Sequence, residues 1–513
     1  MDNSLALIAS LFIATLIFIS KTLCNPTRPK KKLPPGPKPW PVIGNLNLIG
    51  SIPHQSLHNL SKIHGEIMLL KFGKFPVIVA SSPHMAQQFL QTHDAVFASR
   101  PPLAAGKYTS YNYSDMTWAP YGPHWRQARK IYLSEVFNAK RLDSFEQIRI
   151  EEVRVFISRL FSYSGQPVVL RDHLFRFMTS SISRTVLSDR YFSEMLEHDE
   201  KKSSAVTLDE LRDMLDEWFL LSGVLNIGDW IPWLSFLDLQ GYVKKMKALA
   251  KKLDRFLSYV VDDHGARMAV EKDSTAKYLV DVLVQRAEDP NLDVKLTSDV
   301  IKALLQNLLA GGTDTSATTV EWAIHEILKH PHTIEKAKEE LDRVIGRNRW
   351  VQENDFTQLP YIDAIIKESM RLHPLATLLA PHYAIEDCNV LGYDISKGTT
   401  VFINTWSIGR DPNAWDEPEK FWPERFLGKS IDMLGSNFAL LPFGSGRRRC
   451  PGYNLGLKIV RTTLANLIHG FDLRLVEGMS VEDICMEEEY GLTTHPKKPL
   501  TIIMKPTLPN HLY

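Results

Sequence analysis

Three regimes of apolar and polar spacing follow one another along the chain. The first is an uncharged run, LALIASLFIATLIFIS from Leu5 to Ser20, which Thr22-Leu23-Cys24 extend past Lys21. A spanning helix needs roughly 20 apolar residues and tolerates about 17, and a lysine at its end can snorkel. Asp2 precedes the run, while Lys21, Arg28, Lys30, Lys31 and Lys32 follow it, the reverse of the order a secretory signal requires. That order predicts an uncleaved membrane anchor over residues 1–24, with the bulk of the chain on the cytoplasmic side; a cleaved signal peptide is the alternative. The second regime, KKKLPPGPKPWPVIGN, holds five prolines between Pro34 and Pro41. It predicts a basic, stiff hinge over residues 25–45 that no helix can cross.

The third regime covers residues 46–513. Helical spacing dominates it, as in SDVIKALL from Ser298 onward and in YIDAIIKESMRL. IMLLKFGKFPVIVAS near residue 70 predicts a hairpin, and TTVFINTW near residue 400 a strand. No second linker, low-complexity tract or repeat interrupts the stretch. The expected architecture is mainly α with minor β, a single large domain behind the anchor.

Charge and cysteine content narrow the function classes. With 60 Lys and Arg against 59 Asp and Glu, the formal charge of +1 offers no electrostatic argument for nucleic acid. Cys24, Cys388, Cys450 and Cys485 form no CxxC pair, which argues against a disulfide scaffold and a structural zinc site. The sequons at Asn59 and Asn112 stay unmodified in a domain that never meets the lumen.

One cysteine stands apart. In LPFGSGRRRCPGYNLGLKIV, Cys450 follows Arg447, Arg448 and Arg449 and precedes Pro451, which suits the first position of a helix. Neighbouring cations and a helix N-terminus both favour a thiolate. Gly444, Gly446 and Gly452 allow a tight turn and a flat ligand close to the backbone. The stretch reads as an ionised sulfur displayed from a rigid loop, either a nucleophile paired with a histidine or the axial ligand of a haem, whose propionates would take the cations.

PFGSGRRRCPG resembles the haem-binding signature of cytochrome P450 monooxygenases, with Phe443, Gly446, Arg448, Cys450 and Gly452 on its fixed positions. Further landmarks follow in order. KESMRLHP carries a Glu-x-x-Arg pair, Glu368 and Arg371, and FWPERF carries Arg425; the resemblance implies that the three form a buried ionic cluster behind the haem. The same spacing at Glu146/Arg149, Glu151/Arg154 and Glu340/Arg343 reads as solvated helix pairs. Gly311-Gly312 in LLAGGTDTSATT cost a helix about 1 kcal/mol each. The resemblance supplies their use, a groove for dioxygen at Gly311, with Asp314 and Thr315 as the acid and alcohol that relay protons. HWRQAR places Trp125 and Arg129 against a haem propionate, and His382 in APHYAIEDC falls where relatives carry a residue of the same purpose.

The whole chain, anchor and hinge included, is similar to plant microsomal enzymes of specialised metabolism. That resemblance implies haem b, O2 as co-substrate, and electrons from NADPH through a separate reductase docked near Arg447 and Arg449. It also implies a single-pass protein of the endoplasmic reticulum membrane with a cytosolic catalytic domain. A thiolate ligand favours O–O cleavage, so the expected reaction is insertion of one oxygen atom into a small apolar-to-aromatic substrate. The rival readings are an oxygen-independent haem-thiolate isomerase or dehydratase and a non-catalytic haem sensor or carrier. In AAGKYTSYNYSDMTWAPYG, Tyr108, Tyr111, Tyr113 and Trp118 interleave with polar residues, and Leu378, Leu379 and Leu492 are expected opposite them. Such a wall suits a ring-bearing, oxygenated ligand. The expected substrate is phenylpropanoid-type, a flavonoid or lignan; a terpenoid, including oxidative C–C cleavage to a homoterpene, is the alternative. Equally, the tyrosines could pack the loop against the domain and never meet substrate.

Overall fold

The alternating run near residue 70 and the apolar run near residue 400 come together in one sheet. The computed structural model describes residues 31–188, 206–270 and 278–513. Besides a short hairpin of Cys388–Val390 with Tyr393–Ile395, its strands are β1 (Ile67–Phe72), β2 (Phe75–Ala80), β3 (Pro167–Val169), β4 (His382–Tyr383), β5 (Thr400–Ile403), β6 (Phe471–Leu475), β7 (Glu488–Glu489), β8 (His495–Pro496) and β9 (Thr501–Pro506). β1 and β2 form the expected antiparallel hairpin, Ile67 facing Ala80. β5 joins β2 in parallel, Val77 opposite Thr400, and β4 closes the order β1-β2-β5-β4. β3, β9 and β6 make a second sheet, and β7 and β8 a short hairpin.

The principal helices are α1 (Pro53–His64), α2 (Pro123–Ile131), α3 (Glu146–Ser162), α4 (Leu170–Val186), α5 (Leu208–Gly223), α6 (Tyr242–Val270), α7 (Ser298–Lys329), α8 (Pro331–Val344), α9 (Pro360–Leu372) and α10 (Tyr453–Gly470). α7 is the axis of the domain, with α4, α6, α9 and α10 packed around it. Thr297 caps it by accepting the Val300 N–H at 3.3 Å. A helix apolar on all sides belongs in a core, and from Ile301 to Leu328 all but four residues are buried. Those four are Asn307, Gly311, Gly312 and Thr315. Asn307, Gly311 and Thr315 repeat every four residues and so share one face. Gly312 serves packing: a Cβ there would lie 2.6 Å from Cγ1 of Ile182 on α4.

Behind α9, one carboxylate holds two arginines. Arg371 donates to Glu368 from Nε (2.7 Å) and Nη2 (2.8 Å), and Arg425 Nε donates to it at 3.0 Å. The Trp422 N–H adds a fourth bond at 2.7 Å. The remaining guanidinium hydrogens go to the carbonyls of Gly409, Asp416, Glu417, Pro418 and Lys420. All three side chains are buried. Removing one member of such a set costs about 3–5 kcal/mol, so the cluster rivets residues 409–425 to α9.

The three other Glu-x-x-Arg spacings find partners outside their own helices. Arg149 is buried on Glu353 at 2.5 and 3.0 Å. Glu151 pairs with Arg184 at 2.9 Å. Glu340 is buried and accepts the N–H groups of Tyr361 and Ile362, capping the first turn of α9. Tertiary partners outcompete neighbours on the same helix.

The proline run is extended as expected, but it is no free spacer. The Leu69 N–H donates to Pro35 O at 2.8 Å and the Asn45 N–H to Lys71 O at 2.6 Å, which lays the run along β1. The apolar run Leu5–Ser20 lies outside the described residues. Among the described residues no helix is long and apolar enough to cross a membrane.

Candidate active site

Cys450 ends a loop clamped at both sides. Its N–H donates to Phe443 O at 2.9 Å. Gly446 holds φ at +66°, and any Cβ there would collide with Leu90 O. The N–H and Nη1 of Arg447 both reach Asp94 Oδ2, at 3.0 and 2.9 Å. α10 begins only at Tyr453, capped by Gly452, so Pro451 lies before the helix and not at its first position. The short turn this leaves keeps the sulfur ahead of the helix rather than within it.

Burial pushes the Cys450 thiol up, and the Gly452 N–H, Arg129 and Arg449 pull it down without prevailing. Burial thus outweighs the neighbouring cations at this sulfur, an effect that the sequence expectation of a charge-favoured thiolate left out. Arg447 is spent on Asp94, and Arg449 donates to Leu434 O at 3.0 Å. A coordinated metal removes a thiol proton outright, and the site requires such a partner to hold a thiolate.

Two lobes of about 280 and 270 Å³ open on Cys450. They share Gly311, Thr315, Phe443 and Gly456, so they form one space between α7 and the cysteine loop. A Cβ on Gly311 would meet nothing within 4 Å, and one on Gly456 would stand 3.8 Å from Phe443; both glycines leave room for a flat group. Gly452 also lines the space, with the Phe137 ring 3.3 Å from its would-be Cβ.

Positive charge without counter-charge marks one edge. Arg448 donates to the carbonyls of Ala98 (2.6 Å), Met116 (3.3 Å) and Ala119 (2.5 Å) and lies 4.4 Å over the Trp125 ring. Arg129 donates to Arg449 O at 2.8 Å. Arg100, which sequence reasoning missed, donates to Thr117, Ala380 and Pro381 carbonyls at 2.9–3.0 Å. None of the three is ion-paired with a described carboxylate. Burial pushes Arg448 down to about 8 and Arg100 to about 10. Buried charges are ordinarily paired, so this edge fits a group carrying its own anions. A haem, with apolar faces, one thiolate axis and two propionates, matches the sulfur, the glycine-opened helix and the cationic edge.

Two expected propionate contacts change. Trp125 lines the space, but its N–H is given to Met116 O at 3.2 Å. His382 also lines it; burial, then Arg100, hold its pKa well below the usual value. A neutral ring whose Nδ1–H donates to Phe97 O at 3.0 Å has only an acceptor left. Arg100 is the better anion partner.

The relay pair is split across α7. Thr315 faces the space, its Oγ1 donating to Gly311 O at 2.7 Å. Asp314 is buried on the adjoining side, where it accepts from Thr493 Oγ1 at 2.8 Å. Successive helix residues point about 100° apart, so adjacency alone could not unite them.

The expected substrate wall also divides. Leu379 lines one lobe and, with Leu378, Leu492 and Trp118, a small neighbouring cavity of about 40 Å³. Tyr108, Tyr111 and Tyr113 line neither. Three consecutive left-handed residues, Tyr111, Asn112 and Tyr113 (φ 47°, 53° and 64°), reverse the chain. They lay Tyr113 against Gly106, its OH donating to Leu103 O at 3.1 Å. Tyr108 meets Lys247 of α6 and Tyr111 meets Lys302 of α7 through their ring faces. The tyrosines pack the loop on the domain.

A cysteine beneath a glycine-opened helix, with a cationic edge, has the shape and charge to hold a haem. The family model for cytochrome P450 matches residues 34–503. The chain is 43% identical to a trimethyltridecatetraene synthase of Zea mays, over 99% of this chain and 95% of the relative. It is 42% identical to a flavonoid 3'-monooxygenase of Petunia hybrida, over 99% of each. A solved zebrafish cytochrome P450 with progesterone superposes with a TM-score of 0.74 at 26% identity, covering 88% of this chain and 99% of that one. The chain belongs to the cytochrome P450 family. Its fold is that of the family, and it is an oxidoreductase that uses haem b, O2 and electrons drawn from NADPH through a reductase.

The two glycines of α7 give separable predictions. Gly311→Leu fills the space beside Cys450, so haem bound per protein, read from the Soret band, falls several-fold while helical circular dichroism persists. Gly312→Ala presses on Ile182 instead and lowers stability by about 1–3 kcal/mol, measured by urea unfolding, with haem per folded molecule retained.

Proposed function

We propose that this enzyme hydroxylates or otherwise oxidises an oxygenated, ring-bearing plant metabolite of the phenylpropanoid type, a flavonoid or lignan. The observation that carries the substrate class is in the small cavity beside Leu379. Trp118 Nε1 and Ser222 Oγ are buried there without hydrogen-bond partners, among the apolar side chains of Leu378 and Leu492. A buried donor left unpaired costs about 1–3 kcal/mol, so the cavity suits a ligand that brings an oxygen to it. Relatives whose names include flavonoid 3'-monooxygenase support the same class. A second reading is supported by the maize trimethyltridecatetraene and dimethylnonatriene synthases: a terpene alcohol, which also carries one oxygen on an apolar skeleton, oxidised with C–C cleavage.

Within the site, Cys450 would hold the haem iron through its sulfur, Arg100, Arg129 and Arg448 would take the propionates, and Phe443 and the loop glycines would shape the floor. When bound, the haem supplies dioxygen activation; Thr315 delivers a proton from the α7 side, and Asp314 supplies it from behind. The reductase meets the face of the cysteine loop, where Arg449 is the less compensated arginine.

The domain sits on the endoplasmic reticulum membrane through the anchor at residues 1–24 and through its own surface. Trp40 and Val42 in the hinge and Trp233, Phe236 and Leu239 after α5 are all more than 60% exposed. The two segments are joined, since the Lys74 N–H donates to Trp230 O and Ile43 packs in one cluster with Trp230 and Leu234. Exposed apolar patches of this kind mark membrane or protein contacts.

Spectral titration tests the substrate reading: flavonoids or lignans are expected to give the high-spin shift, and Ser222→Ala, which deletes only the hydroxyl, weakens their binding about 5–10-fold. Tight binding of tertiary terpene alcohols, with no response to any flavonoid or lignan, overturns it in favour of the second reading. Deleting residues 1–24 is expected to move most of the protein to the soluble fraction with its haem spectrum intact. A mature protein beginning after residue 20 would contradict the anchor.

A further inference from the structure

Behind α7 lies a separate cavity of about 300 Å³. Thr493 is the one residue that lines both it and the lobe containing Cys450 and Thr315. Asp314 and His495 face this outer cavity, as do Arg212, Asp216 and Glu217 from α5, Arg171 from α4, Glu321 from α7 and Glu489 from β7. Arg171 is bound to Glu321 at 2.8 Å.

The hydrogen bonds here have a direction. Thr493 has a single hydroxyl hydrogen, and its geometry gives it to Asp314 Oδ2 at 2.8 Å. In the 2.9 Å contact between Thr493 Oγ1 and His495 Nε2, the ring is therefore the donor. His495 Nδ1 then accepts from the Thr318 hydroxyl at 3.1 Å. His495 Nε2 also approaches Asp314 Oδ1 at 3.4 Å. The His495 side chain is 23% exposed and Asp314 only 3%, so the set runs from the outer cavity to the buried carboxylate.

We propose that His495 and Thr493 form the outer section of the route by which protons reach Asp314 and the oxygen-binding side of the active site. It rests on the monooxygenase activity, in which substrate, O2, two electrons and two protons give hydroxylated product and water. His495 takes a proton at Nδ1 from the Thr318 hydroxyl, which lines the outer cavity and is re-protonated there by water, and releases one from Nε2. The released proton passes to Asp314, directly or through the Thr493 hydroxyl, and crosses at Thr493 into the lobe that Thr315 lines. Each transfer leaves His495 as its other tautomer and the Thr493 hydroxyl turned about; a ring flip and a hydroxyl rotation restore them before the next proton, and no electrons travel this way. Asp216 at the mouth suits such a route. It lies 3.8 Å from Arg212 with its side chain 46% exposed, and desolvation and the Asp314 charge raise its pKa.

The test uses full-length holoenzyme and the variants His495→Gln, Thr493→Val, Thr493→Ser and Asp314→Asn, each checked for an unchanged carbon-monoxide difference band. Without turnover, NMR of nitrogen-15 histidine follows the His495 ring, assigned by its absence in His495→Gln. Its Nε2 resonance is expected to shift in Thr493→Val and in Asp314→Asn, because the groups that meet that nitrogen change. With reductase, NADPH and the flavonoid or terpene alcohol giving the largest spectral shift, peroxide released per NADPH rises at least threefold in His495→Gln and Thr493→Val. Thr493→Ser keeps the hydroxyl and stays within twofold of the parent. A His495 Nε2 resonance unchanged in both Thr493→Val and Asp314→Asn, or peroxide yields equal to the parent in both disrupted variants, overturns the proposal. A parent that consumes no NADPH counts against the monooxygenase reading instead, and the NMR coupling then decides the proposal alone.

Discussion

A buried thiol and three unpaired guanidinia face one space between α7 and the cysteine loop, and neither is at ease without a guest. Burial raises the Cys450 thiol, and burial lowers Arg448 and Arg100. A metal would settle the first strain and two carboxylates the second. The clamps around the space keep it open for such a guest: Gly446 against Leu90, Arg447 on Asp94, and the Glu368 cluster on the segment leading into the cysteine loop. The haem completes the electrostatics of the fold.

α7 divides its work between neighbouring residues. Gly311 leaves open space toward Cys450, whereas Gly312 lets Ile182 of α4 approach. Thr315 belongs to the cavity side and Asp314 to the far side, where Thr493 and His495 meet it. A single helix thus separates the lobe that contains Cys450 from a cavity lined by Asp216, Glu217, Glu321 and His495. Thr493 is the residue through which the two communicate.

The elements set by local pattern were legible in the sequence. The span of α7, the hairpin at residue 70 and the strand at residue 400 depend on periodicity and turn residues, and Cys450 on a short contiguous motif. What depended on distant contacts was not legible. Arg149 finds Glu353, Arg100 finds Ala380, and Asp314 finds Thr493, partners between 179 and 280 residues away or hidden among equivalent spacings. Tyr108, Tyr111 and Tyr113 look like a binding wall because spacing cannot reveal three left-handed residues in succession. The N–H of Trp125 and the tautomer of His382 likewise follow from carbonyls that only the fold brings near.

The central claim is that Cys450, and no other side chain, is the protein ligand of the haem iron. The most direct measurement is the reduced carbon-monoxide difference spectrum of Cys450→Ser beside the parent enzyme. The parent is expected to show the red-shifted band that reports a thiolate opposite the carbon monoxide, and the variant to bind haem weakly and lack that band. A serine variant that keeps the thiolate band would place the ligand on another residue and contradict the account.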